Sequence, residues 1–79
     1  MYRIGEKVQV LNRSPAGVYF HEGEAEIFDK PRPNDDHYWV LFDQEEAPVL
    51  RFIDPAAQEN PKQRAKELNS LMGFQELPL

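Results

Sequence analysis

Apolar and polar residues alternate along the first two thirds of the chain, then shift to helical spacing near residue 60. A two-residue period places every second side chain on one side of a strand, so it predicts half-buried strands. The first covers residues 7–11, with Val8 and Val10 facing inward and Lys7 and Gln9 facing water. Residues 12–17 hold Ser-Pro and Ala-Gly punctuation and read as a long loop. Val18, Tyr19 and Phe20 then lie on the fold or continue into the next strand. That second strand, residues 22–29, sets Glu22, Glu24 and Glu26 on one face and Ala25 with Ile27 on the other. The three carboxylates must meet water, because an unpaired buried charge is prohibitively costly.

Pro31 and Pro33 remove ladder donors and the polar triplet after them favours a turn, so residues 30–36 form a hairpin loop. The strongest strand is residues 38–42, with Tyr38, Val40 and Phe42 on one face and Trp39 and Leu41 on the other. Both faces are apolar and both need cover. Residues 43–47 turn the chain into a fourth strand at 49–53, and Asp54-Pro55-Ala56-Ala57 closes it with a short helical turn. Beyond it, Asn60 is a helix N-cap, Pro61 suits the first helical position and Gly73 suits the C-terminal stop, with Phe74 supplying a hydrophobic contact. Ala65, Leu68, Leu71 and Met72 form the apolar stripe, opposed by Lys62, Arg64, Lys66 and Glu67. So short a helix is marginal alone and is expected to pack over Trp39 and Leu41. The expected architecture is mainly β, a single domain over residues 1–79. A small antiparallel barrel at about 4–55 carries a packed amphipathic α-helix at about 60–73.

Composition narrows the chemistry. With 79 residues and no cysteine, the core is small and neither a disulfide nor a thiolate metal site reinforces it. No secretory apolar stretch opens the chain, and no segment approaches the roughly 20 apolar residues of a membrane span, which predicts a soluble cytoplasmic protein without membrane contact. The net charge of −5 is concentrated in residues 21–60, where eleven acids face Lys30, Arg32 and Arg51. Such a block repels phosphate backbones and matches either a solvated exterior or a basic partner. Catalysis lacks a framework. Ser14 and Ser70 are the only serines, threonine is absent, and no glycine-rich phosphate loop occurs. His21 with Glu22, and His37 with Asp35 and Asp36, do not make up the ordered donor set a metal requires. No enzyme activity, metal or cofactor is expected.

Three segments resemble the SH3-like small β-barrels of the Tudor, Agenet and KOW type: Gly5-Glu6-Lys7-Val8-Gln9-Val10, Gly23-Glu24-Ala25-Glu26-Ile27 and Tyr38-Trp39-Val40-Leu41-Phe42-Asp43. The resemblance spans roughly residues 4–55. It implies strongly bent antiparallel strands and a non-enzymatic binding role exercised through loops and aromatic side chains. A clear fifth strand is missing, the glycine-rich KOW turn is incomplete, and a C-terminal helix is added.

Aromatic and acidic residues are the candidate contacts. Tyr19, Phe20, Tyr38, Trp39 and Phe42 with Asp43 have the composition of an aromatic cage for a methylated cation, and the same rings would equally serve as core. The expected function is therefore a small interaction module that binds a protein partner, a basic or methylated segment. Its contacts are Tyr19, Tyr38, Trp39, Asp43, Glu22, Glu24 and Glu26. Nucleic-acid binding is the alternative and requires Arg3, Lys7, Arg13, Lys30, Arg32 and Arg51 to gather on one face. A third reading, on composition alone, is an acidic nucleic-acid mimic from a mobile element that inhibits a partner by filling its basic groove. Oligomeric state is left open by the sequence.

Overall fold

The computed structural model describes residues 2–30 and 36–73. Four strands, β1 (Lys7–Arg13), β2 (Tyr19–Asp29), β3 (His37–Phe42) and β4 (Val49–Phe52), form one antiparallel sheet in the order β1-β2-β3-β4. A 3₁₀ turn, Pro55–Ala57, and a helix, α1 (Pro61–Leu71), follow. Each strand pairs with its sequence neighbour, and no hydrogen-bonded ladder joins β4 to β1. The expected barrel is therefore an open sheet. Short connections explain the meander, and Pro55 and Pro61 end extended structure directly after β4.

The inward face carries the core: Val8, Val10, Ala25, Ile27, Tyr38, Val40 and Ile53, with Tyr2, Phe42 and Val49 packed against it. The alternation of β1 and β3 predicts this face correctly. The long loop at 12–17 is shorter than expected. β1 runs on to Arg13 and β2 begins at Tyr19, so Tyr19 and Phe20 belong to the second strand. Between them the Ser14 hydroxyl accepts from the Val18 N–H at 3.2 Å, while Ser14 N–H donates to the Val18 carbonyl at 2.9 Å.

β2 departs from simple alternation twice. Val10 pairs with Gly23 but Leu11 pairs with His21, leaving Glu22 as an extra residue. Ile27 pairs with Val40 but Asp29 with Trp39, leaving Phe28 extra and half exposed. Each bulge bends the strand and reverses the phase of its side chains. Gly23 has φ +145°, a region that side chains with a Cβ rarely adopt. The bent strand divides its work: residues 25–29 pair with β3, while residues 19–21 pair with β1 alone.

The helix covers that second half. Asn60 accepts the Gln63 N–H at 3.2 Å as N-cap, and the Met72 N–H donates to the Leu68 carbonyl at 3.1 Å. Gly73, at φ +86°, ends it as expected, whereas Phe74 lies outside the described residues. α1 packs on β2, β1 and the 3₁₀ turn and makes no contact with β3, so the cover expected over Trp39 and Leu41 is absent. Ala65 is buried and Leu68 half-buried, but Leu71 and Met72 are exposed. The stripe is narrower than its spacing suggests, because Arg64 turns toward the sheet to meet Asp54.

Two side-chain amides fasten these elements where a strand would otherwise pair. Gln58 Oε1 accepts the Gln9 N–H at 2.8 Å and its Nε2 donates to the Gln9 carbonyl at 3.1 Å. Asn69 repeats the pattern on Tyr19, accepting its N–H at 2.7 Å and donating to its carbonyl at 3.0 Å. Each amide reproduces the donor and acceptor of a neighbouring strand.

Gly23→Ala is expected to lower stability by about 1–3 kcal/mol, because the added Cβ strains the positive φ. Gln58→Ala, which strips three part-buried bonds to backbone, two at Gln9 and one at the Asp54 carbonyl, is expected to cost about 1–3 kcal/mol. Urea unfolding midpoints of the two variants check both values.

Candidate functional site

Register assigns each anticipated contact to a face. Gln9 pairs with Glu24, Lys7 with Glu26, Glu26 with Leu41, Trp39 with Leu50 and His37 with Phe52. Cross-strand partners share a face, so these residues make up the side of the sheet turned away from the core. Contacts agree: Gln9 Nε2 donates to Glu24 at 3.1 Å, and the His37 and Phe52 rings meet edge-on at 5.8 Å. Trp39 is 36% exposed, Leu50 40% and Phe52 48%, so this face carries an apolar patch, with Asp29 directly across from Trp39 and Glu26 beside Leu41.

The other anticipated contacts go elsewhere. Tyr38 lies in the core, its ring edge-on to Tyr2 at 5.5 Å and covered by Lys30 Nζ at 5.6 Å, so it offers no surface contact. Phe42 packs against the same core. Tyr19 sits below the Arg13 guanidinium, 5.2 Å from its ring centroid. Asp43 is at the β3–β4 turn, with its carboxylate 3.7 Å from Lys7 Nζ. The rings expected to converge as a cage are thus distributed among the core, the outer face and the helix side.

Glu22 also leaves the row it was expected to share with Glu24 and Glu26. As the extra residue of the bulge it falls out of phase, and its carboxylate accepts Arg51 Nε at 2.7 Å and Nη2 at 2.9 Å. Arg51 faces the core side through its pairing with Tyr38. The bidentate pair therefore ties β2 to β4 across the sheet, a span that no ladder bond covers. The Glu22 hydrogen bond raises the Arg51 pKa above its ordinary value, against the opposing pull of burial. Asp54 acts likewise on Arg64, accepting its Nε at 2.7 Å and raising its pKa.

A groove of about 510 Å³ opens between β4, the far end of β1 and α1. Leu11, Leu50, Phe52 and Leu68 supply apolar walls, and Arg13, Arg51 and Arg64 line it against a single carboxylate, Asp54. This is a cationic lining in an acidic chain. Sequence reasoning grouped Arg13 with Arg51 but missed Arg64, which the helical period assigns to the polar side of α1. Of the six basic residues required for nucleic-acid binding, the described Arg3, Lys7 and Lys30 lie outside this lining. Arg13 and Arg51 line the groove, Lys7 lies beside Asp43, Lys30 covers Tyr38, and Arg32 is outside the described residues.

Among the described residues no three His, Asp or Glu side chains gather as a metal site, and no helix is long and apolar enough to cross a membrane. His21 bonds Gln9 Oε1 at 2.8 Å, whereas Asp35 lies outside the described residues. Compared with known proteins, the chain matches no family model, no curated protein and no solved structure.

Two measurements probe this arrangement. A double-mutant cycle of Glu22→Gln and Arg51→Gln is expected to return a coupling of about 1–2 kcal/mol, since the pair is bidentate and only partly exposed. Burial, followed by the nearby Glu6 charge, raises the Tyr2 pKa above its ordinary 10.0. The raised value favours the neutral phenol in the folded state, so its stabilisation is full below pH 10.0 and is lost as pH rises through the folded pKa. Urea midpoints measured between about pH 9 and 11.5 should fall for the native chain and fall less steeply for Tyr2→Phe.

Proposed function

We propose that this chain is a small non-enzymatic interaction module, built on an SH3-like small-barrel plan, that binds a basic segment of a protein partner through the outer face of its sheet. The observation that carries this reading is the exposure of Trp39, Leu50 and Phe52 on one face, with Asp29 across from Trp39 and Glu26 and Glu24 farther along the same face. Tryptophan supplies a large rigid contact area, and the flanking carboxylates attract lysine or arginine while disfavouring acidic surfaces. A bent four-strand meander followed by a 3₁₀ turn supports the plan. Trp39 is the central contact, Asp29 and Glu26 are its charged border and Glu24 extends the acidic row; a methyl group on the incoming cation would add contact with the indole.

The test uses fluorescein-labelled lysine-rich peptides, unmodified and trimethylated, followed by anisotropy. Trp39→Ala is expected to keep its fold, at a cost of about 1 kcal/mol, while weakening the peptides roughly tenfold or more. Glu24→Lys with Glu26→Lys should weaken them as well, increasingly so at low salt. Undiminished binding by folded Trp39→Ala would overturn the reading, and so would a preference for glutamate-rich peptides that Trp39→Ala abolishes.

A further inference from the structure

The arginine-lined groove is also the seam at which the sheet fails to close. β1 and β4 approach one another there, and each contributes three consecutive residues to the lining: Leu11, Asn12 and Arg13 from one, Leu50, Arg51 and Phe52 from the other. Contributions of consecutive residues mean that the strands border the groove along their edges. On β4 the Ile53 N–H reaches the Asp36 carbonyl of the β3 side at 3.4 Å. Antiparallel alternation then directs the backbone groups of Leu50 and Phe52 away from β3, toward the groove. Arg51 Nη1 donates to the Leu50 carbonyl at 2.9 Å, which confirms that this carbonyl is reachable from the open side. Gln58 occupies the β1 edge at Gln9, and no side-chain bond among the described residues does the same for Leu11.

Charge selects the occupant. Arg51 and Arg64 are held in place by Glu22 and Asp54, while Arg13 stacks over Tyr19 and donates Nε to the Gly17 carbonyl at 3.2 Å without a carboxylate partner among the described residues. We propose that the seam receives an extended, acidic peptide segment of a partner protein, which pairs with the free edge of β4 as a fifth strand and sets a carboxylate on Arg13. Such a segment has backbone groups for Leu50 and Phe52, an apolar side chain for Leu68 and a carboxylate for Arg13. The four residues of β4 span about 13 Å, so a stretch of roughly four residues suffices. The groove shares Leu50 and Phe52 with the basic-segment surface but uses their backbone edge, whereas that surface uses their outward side chains with Trp39, which does not line the groove.

The probe is a blocked hexapeptide alternating valine and glutamate, titrated into the isotope-labelled full chain and followed by amide chemical shifts and hydrogen exchange. Comparisons are the valine–lysine hexapeptide, an N-methylated valine–glutamate hexapeptide and inorganic phosphate. The acidic peptide should shift the amides of Leu11, Arg13, Leu50 and Phe52 and protect those of Leu50 and Phe52 from exchange. Arg13→Gln, an exposed position whose fold is checked by its melting curve, should weaken it about fivefold. Equal binding of the N-methylated peptide would overturn strand pairing, and equal binding of the lysine peptide would overturn the charge argument. Phosphate that displaces the peptide at equal concentration would make the groove a small-anion site, and absence of shifts at millimolar peptide would leave no docking site there.

Discussion

The bend of β2 at Glu22 and Gly23 is the constraint on which the rest of the molecule depends. An eleven-residue strand in so small a protein cannot stay straight and still bury its inward face, and the extra residue at the bulge lets its two halves diverge. One half completes the core with β3, and the other pairs with β1 and supports α1. Glycine at φ +145° permits the change of direction. The same phase change sends Glu22 toward Arg51, so the defect in one ladder becomes a charged link between β2 and β4.

Economy in the core explains why polar side chains do so much structural work. Seven buried residues form the main cluster, without disulfides, and the edges of β1 and β2 would otherwise leave backbone groups unpaired beneath the helix. Gln58 and Asn69 satisfy them with amides that copy a strand's donor and acceptor. Among the described residues no buried side-chain polar atom lacks a hydrogen-bond partner. Along the seam itself no amide among the described residues does the same for Leu11, Leu50 or Phe52, and there the groove opens.

Two surfaces of opposite character result from one sheet. Its outer face joins Trp39 to Asp29 and Glu26, the seam joins Leu11 and Leu68 to three arginines, and Leu50 and Phe52 border both. Net charge conceals this division, because arginines drawn from β1, β4 and α1 converge only after folding.

Local signals were legible in the chain. The period of Val8 and Val10, the alternation of Tyr38, Val40 and Phe42, the Asn60 cap and the Gly73 stop depend on residues a few positions apart, and the fold keeps all of them. Tertiary structure alone decided the register of β2, the departure of Glu22 from its row, the docking of α1 away from Trp39 and the open seam. A bulge shifts phase by one residue without altering the composition on either side, so periodicity predicts the strand but not which face follows the bend. Where Trp39 points was settled by its pairing with Leu50 and by a helix held elsewhere through Asn69 and Tyr19, contacts between residues fifty positions apart that no local pattern encodes.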